Sequence, residues 1–182
     1  MMLRRLRESV AGPVLLWGLR LGASLAVDLA QSEVGIRAVL LWQPVISGEQ
    51  FLTQLLRFNL AAQLVRQGGS RETTQTLRQR LAEGETLEIA GHRLCPELAQ
   101  SMIGFKLADH QPKADILWLE LGASGNEAHS PSSARVIEAW RQTGIALQSE
   151  VVACPDFWQS QEIVESAALP ETSARLVAKV GA

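Results

Sequence analysis

The stretch Pro13-Val14-Leu15-Leu16-Trp17-Gly18-Leu19-Arg20-Leu21-Gly22 decides how this chain is read. Its first five residues form an apolar run bounded by Gly12 and Gly18, the pattern of a strand buried on both faces. Residues 20–31 continue as a helix, with Leu21, Leu25 and Leu29 at four-residue spacing. A buried strand that ends in Gly-x-z-x-Gly and passes directly into a helix has the shape of a nucleophile elbow. Such a turn needs glycines because neighbouring backbones approach closely, and it holds its central residue under strain beside amides that stabilise an oxyanion. Position z here is Arg20, and a guanidinium is no acyl nucleophile. Two glycines four apart also occur where a strand simply meets an amphipathic helix, so these residues alone leave both readings open. A dinucleotide-binding turn fits less well, because no Gly-x-Gly pair is present.

Outward from this turn, short apolar runs alternate with amphipathic stretches, as in a parallel sheet covered by helices. Further strands are expected over residues 36–42, 115–121 and 145–153, the first closed by Pro44. Ser47 and Gln50 make a capping box for a helix ending near residue 66, with Phe51, Leu55, Phe58, Ala62 and Val65 as its apolar face. A polar helix over 71–81, a small hairpin turning at Gly91 and a helix opened by Pro96 follow. Pro131 opens another helix, and two more are expected over 156–165 and 171–179. The expected architecture is a single α/β domain over residues 1–182, with about four parallel strands flanked by helices and a mostly helical, lid-like insertion over 48–112.

The 182 residues are 47% hydrophobic and 20% charged, enough apolar material for one core and too much for disorder. Seventeen basic against nineteen acidic residues give a net charge of -2, which excludes nucleic-acid binding by bulk charge. Cys95 and Cys154 have no paired spacing for a disulfide framework or a zinc site, so a reducing compartment is expected. Arg4, Arg5 and Arg7 before an apolar run imitate a signal peptide, but Glu8 lies among them and Arg20 interrupts the run. The uncharged stretch is far below the roughly 18 residues that read as a membrane span. A cytoplasmic protein with no membrane span and no cofactor is expected.

Longer stretches add a resemblance. Leu16-Trp17-Gly18-Leu19-Arg20-Leu21-Gly22-Ala23 and Leu41-Trp42-Gln43-Pro44-Val45-Ile46-Ser47-Gly48-Glu49-Gln50-Phe51-Leu52 resemble the α/β-hydrolase-like proteins of exosortase A systems, of the second type. Leu87-Glu88-Ile89-Ala90-Gly91 and Phe157-Trp158-Gln159-Ser160-Gln161-Glu162-Ile163 are similar to later segments of that family. The resemblance implies an α/β-hydrolase fold in a bacterial exopolysaccharide and protein-sorting setting, with an ester or thioester as substrate. It also implies a catalytic acid after the strand that follows the insertion, where Glu127 is the only carboxylate, and a His after the last strand, where Asp156 stands instead. Arg20, Glu127 and Asp156 thus occupy the triad positions, and no serine triad is discernible.

Other residues have ordinary explanations beside chemical ones. Ser24 reads as a packing residue, Ser47 and Asp156 as helix caps, and Cys154 and Cys95 as packing or cap residues. His129 would be an exposed loop residue or a base paired with Glu127, while His92 and His110 sit in turns of the insertion. Arg20 with the amides of Leu21 and Gly22 would bind an acyl or anionic ligand, or Arg20 would pair internally with Asp156 or Glu127. A catalytically inert binding protein is the competing reading.

Members of the fold carry further strands before the elbow. The strand near residue 14 would therefore become an exposed sheet edge. A start upstream of Met1, completion by a second subunit, or marginal stability would each follow from that. A truncated or misassigned start is the expectation.

Overall fold

The computed structural model describes residues 2–9, 11–67, 72–122, 128–158 and 165–181. They fold into two compact units, one made of Met1–Ile46 with Leu107–Ala182 and the other of Ser47–Lys106.

The first unit holds α1 (Met2–Ser9), β1 (Val14–Leu19), α2 (Leu21–Ser32), β2 (Ile36–Trp42) and the sheet elements after the insertion. The second unit contains α3 (Gly48–Gln67), α4 (Thr74–Ala82), the hairpin β3 (Leu87–Ile89) and β4 (His92–Leu94), and α5 (Pro96–Gly104). The chain then returns through β5 (Asp115–Gly122), α6 (Pro131–Gln142), β6 (Leu147–Ala153) and α7 (Ala168–Gly181). The main sheet has the order β1-β2-β5-β6 and every pairing in it is parallel.

The two-residue strand period sorts the core. Leu117, Leu119 and Leu121 join Ala38, Leu40 and Val152 against Leu169, Leu176 and Val180 of α7. On the opposite face, Trp118 meets Trp140 of α6 edge to face, with ring centroids 5.9 Å apart. Each large side chain buried this way contributes roughly 1.5–3 kcal/mol, so these two layers dominate the unit's stability. Glu120 shares the face of Trp118, a placement that matters below.

In the second unit, Leu52 and Leu56 of α3 are buried, as are Leu77, Leu81, Leu87, Ile89, Leu94, Ala99 and Met102. Gly48 leaves no room for a side chain, since an added Cβ would lie 2.0 Å from the Met102 carbonyl oxygen. Thr73 caps α4 by accepting from the Thr76 amide at 3.1 Å. Arg80 binds both Glu72 and Glu85.

Several expectations are corrected. Val14 to Leu16 are only partly buried and Trp17 is 61% exposed, because β1 is the edge of the sheet that the described residues form. The buried stripe of α3 runs through Leu52, Leu56 and Asn59, while Phe58 is 54% exposed. Adjacent apolar pairs at 51–52 and 55–56 give two possible stripes, and periodicity alone cannot choose between them. Residues 2–9, over which no helix is expected from the sequence, form a helix whose Arg7 bonds the Val34 carbonyl and pairs with Glu33 at 3.6 Å. Phe157 N–H donates to the Pro155 carbonyl at 2.8 Å, so Asp156 is followed by a turn at Phe157 and Trp158, and most of the helix expected over 156–165 lies outside the described residues. Among the described residues no helix is long and apolar enough to cross a membrane.

Candidate functional site

The crossover from β1 to α2 has the elbow shape. Arg20 has φ 54° and ψ -122°, a conformation that costs a non-glycine residue on the order of 1–3 kcal/mol. Its N–H donates to the Trp42 carbonyl at 2.9 Å, and its own carbonyl accepts from the amides of Ala23 at 3.1 Å and Ser24 at 3.4 Å. One side of Arg20 is therefore sheet and the other is helix. Gly18 makes this turn sterically possible, because a Cβ there would lie 2.4 Å from the Ala23 nitrogen and the Gly22 oxygen. Gly22 is different: a Cβ would meet nothing within 4 Å. Only the first glycine of the pair is demanded by close approach.

The Arg20 guanidinium lies over the Trp158 ring, 5.2 Å from its centroid. Burial lowers its pKa below the ordinary arginine value, and the negative charge of Asp156 acts in the opposite direction. Arg20 and Asp156, two of the expected site residues, are thus brought within electrostatic reach. Glu127, the third, lies outside the described residues. Leu21 and Gly22 open α2, with their amides in its first turn. Trp158 continues into an aromatic chain: Phe157 at 5.2 Å, then Trp42 at 6.4 Å, then Trp17 at 4.7 Å between centroids.

The remaining candidates take structural places. Ser24 is fully buried and donates to the Val45 carbonyl at 3.0 Å. Ser47 accepts from the Gln50 amide at 3.4 Å, as a cap does. Cys154 is buried in the α7 face of the core, and Cys95 stands at the N-cap of α5. His110 lies 3.4 Å from Asp28, and its carbonyl accepts from the Trp140 indole.

The arrangement that sequence reasoning missed centres on Glu120. His129 Nδ1 is 2.8 Å from Glu120 Oε2, and the Ser130 N–H donates to Oε1 at 3.2 Å. Ser130 is also the N-cap of α6, so the carboxylate sits at the favourable end of a helix. A carboxylate in the middle of an apolar strand was the available signal, since buried charge requires partners. Both residues line a cleft of about 380 Å³ with Gln43, Gly122, Ser130 and Val151. Gln43 (φ 44°) stands where β2 and β5 part. Its N–H donates to the Leu119 carbonyl at 2.8 Å, and its Oε1 accepts from the Leu121 amide at 2.6 Å. The strands separate there, and the side chain supplies the missing rung. Among the described residues no group of three or more His, Cys, Asp or Glu side chains is placed to hold a metal ion.

No protein-family model matches the sequence, and no curated protein matches it. Solved structures do match in fold. Est1E from Butyrivibrio proteoclasticus aligns over 98% of this chain and 66% of its own length, with a TM-score of 0.58 and 8% identity. The same protein with bound ferulic acid aligns over 99% of this chain and 66% of its own, at TM-score 0.55 and 10% identity. A monoacylglycerol lipase from Paleococcus ferrophilus aligns over 99% and 73%, at TM-score 0.53 and 15% identity. The chain has an α/β-hydrolase-like fold, a four-stranded parallel sheet flanked by helices. It spans just under two thirds of the length of Est1E.

Proposed function

We propose that this chain is a hydrolase of a small ester or thioester in which the elbow binds substrate instead of attacking it. The observation that carries the reading is the strained backbone of Arg20, maintained at the carboxyl end of the sheet by Gly18 and by the bond to Trp42. Strain of this kind is concentrated at functional sites. Arg20 and the amides of Leu21 and Gly22 then hold the anionic part of an acyl ligand. Asp156 tunes the cation, and Glu127 enters this reading only as the catalytic acid that the family resemblance implies. The likeness of residues 41–52 to exosortase-associated proteins supports an exopolysaccharide setting and, with the cysteine usage, a cytoplasmic one. The insertion after β2 is a lid in this reading, since ligand-selecting segments enter at carboxyl ends of strands.

A second reading is favoured by one feature: the elbow residue cannot form an acyl-enzyme. The chain would then be an inert binding or partner protein. Turnover of short-chain p-nitrophenyl esters and acyl-thioesters separates the two. Measurable turnover that falls in Arg20→Ala supports the hydrolase; binding of phosphate or acyl ligands without any turnover supports the inert protein.

A further inference from the structure

Glu120 is 5% exposed, and a carboxylate at such depth is stable only with firm hydrogen bonds. With Glu120 Oε2 accepting from His129 Nδ1–H, the neutral form of the ring presents its lone pair on Nε2. The His129 side chain is 18% exposed, so the ring is held by the protein while still reaching the cleft. A volume of about 380 Å³ accommodates a small acyl ligand. Gln43 lines the same cleft with its oxygen already bonded to Leu121, so the group it offers a ligand is the donor NH2. The cleft therefore combines a fixed imidazole with an amide donor at the carboxyl end of the sheet. It lies two strands from the elbow, on the order of 10 Å by the spacing of strands.

We propose that His129, oriented by Glu120, is the general base that activates water for direct hydrolysis in this cleft. The inference rests on the hydrolase reading above and gives that reading its missing chemistry. A water proton passes to His129 Nε2 while the water oxygen bonds to the acyl carbon, and the carbonyl pair moves onto oxygen beside the Gln43 amide. Collapse of this intermediate breaks the C–O or C–S bond. The leaving alkoxide or thiolate takes the proton from Nε2, and the products are a carboxylic acid and an alcohol or thiol. The ester or thioester consumes one water, and no acyl-enzyme forms. Glu120 is a positioning residue, acting through the ring it orients.

The test uses the full chain with p-nitrophenyl acetate and a short acyl-thioester. His129→Ala is expected to lower kcat by at least about a hundredfold with KM little changed. Added imidazole restores turnover in His129→Ala beyond its own rate without protein and beyond its rate with the unfolded variant, an effect that a purely structural role would not produce. Glu120→Gln lowers kcat less, and intact-mass analysis of quenched reactions shows no acyl adduct. His129→Gln, which keeps a donor toward Glu120, carries the same expected loss if His129→Ala unfolds. Wild-type turnover with a fully active, folded His129 variant overturns the inference and leaves the hydrolase reading standing. A trapped acyl adduct likewise overturns it. Absence of turnover by the wild type on every ester and thioester overturns both.

Discussion

The Arg20 amide donates to the Trp42 carbonyl across 2.9 Å, tying the elbow of the edge strand to the last residue of its neighbour. The next residue, Gln43, makes the corresponding bond to Leu119 of β5. Three strand ends are thus linked through Arg20 and Gln43, both at positive φ, and both candidate sites hang from that seam.

The two glycines of the elbow should respond oppositely to alanine. Gly18→Ala forces a Cβ into backbone and should cost roughly 1–3 kcal/mol. Gly22→Ala adds a methyl to open space inside α2 and should stabilise by up to about 1 kcal/mol. Denaturant melts of both variants check the pair.

Arg20→Gly should be more stable than Arg20→Ala by about 1 kcal/mol. Both variants lose the contact with Trp158, but only glycine adopts φ 54° and ψ -122° without strain. The difference between their denaturation midpoints isolates the backbone term.

Glu120→Ala should destabilise by about 3 kcal/mol, because it strands the His129 ring and the Ser130 N–H beneath the surface. Glu120→Gln retains an acceptor and should cost less. Equal losses would mean that a neutral acceptor is no substitute and that the carboxylate charge itself holds the pair.

Arg175 grips Glu150 through two bonds of 3.0 and 2.6 Å. The hydrogen bond from Arg175 holds the Glu150 carboxyl below the usual carboxylate pKa, against the opposing effect of burial. A depressed carboxyl pKa contributes stability above its unfolded value, and that contribution disappears as pH falls through the lower folded value. Arg175→Gln should therefore lower the Tm at neutral pH and narrow the gap between neutral and acid melts. The effect is small, since the pair is largely exposed.

The hairpin between β3 and β4 turns at Ala90 (φ 51°) and Gly91 (φ 80°). Ala90→Asn should stabilise it by about 1 kcal/mol, because asparagine tolerates the left-handed conformation better than alanine. A thermal melt of the variant provides the check.

The sheet was legible because its strands are bounded apolar runs; the elbow was legible in shape only, since a glycine pair after such a run also fits a plain strand-to-helix junction. Less legible were features set by neighbours. Trp17 reads as core by its apolar run, and its exposure follows instead from the edge position expected for β1, which the strand order of the described residues shows. The α3 stripe depended on which of two adjacent apolar residues faced inward. Glu120 and His129 are separated by a strand end and a loop, so only coordinates could pair them instead of His129 with Glu127. Asp156 stands near Arg20 through charge, and nothing in its spacing distinguished that from a helix cap.

The ends of the 47–106 segment are zipped side by side: Leu107 N–H bonds the Ile46 carbonyl at 2.9 Å, Ser47 bridges Lys106, and Gly48 N–H bonds the Phe105 carbonyl at 3.0 Å. The segment is consequently a cassette on a closed clasp. Because loop-closure entropy changes only slowly with length, longer, shorter or unrelated inserts can be exchanged there while the ladder beneath keeps its register. Insert and scaffold can then be redesigned as separate modules.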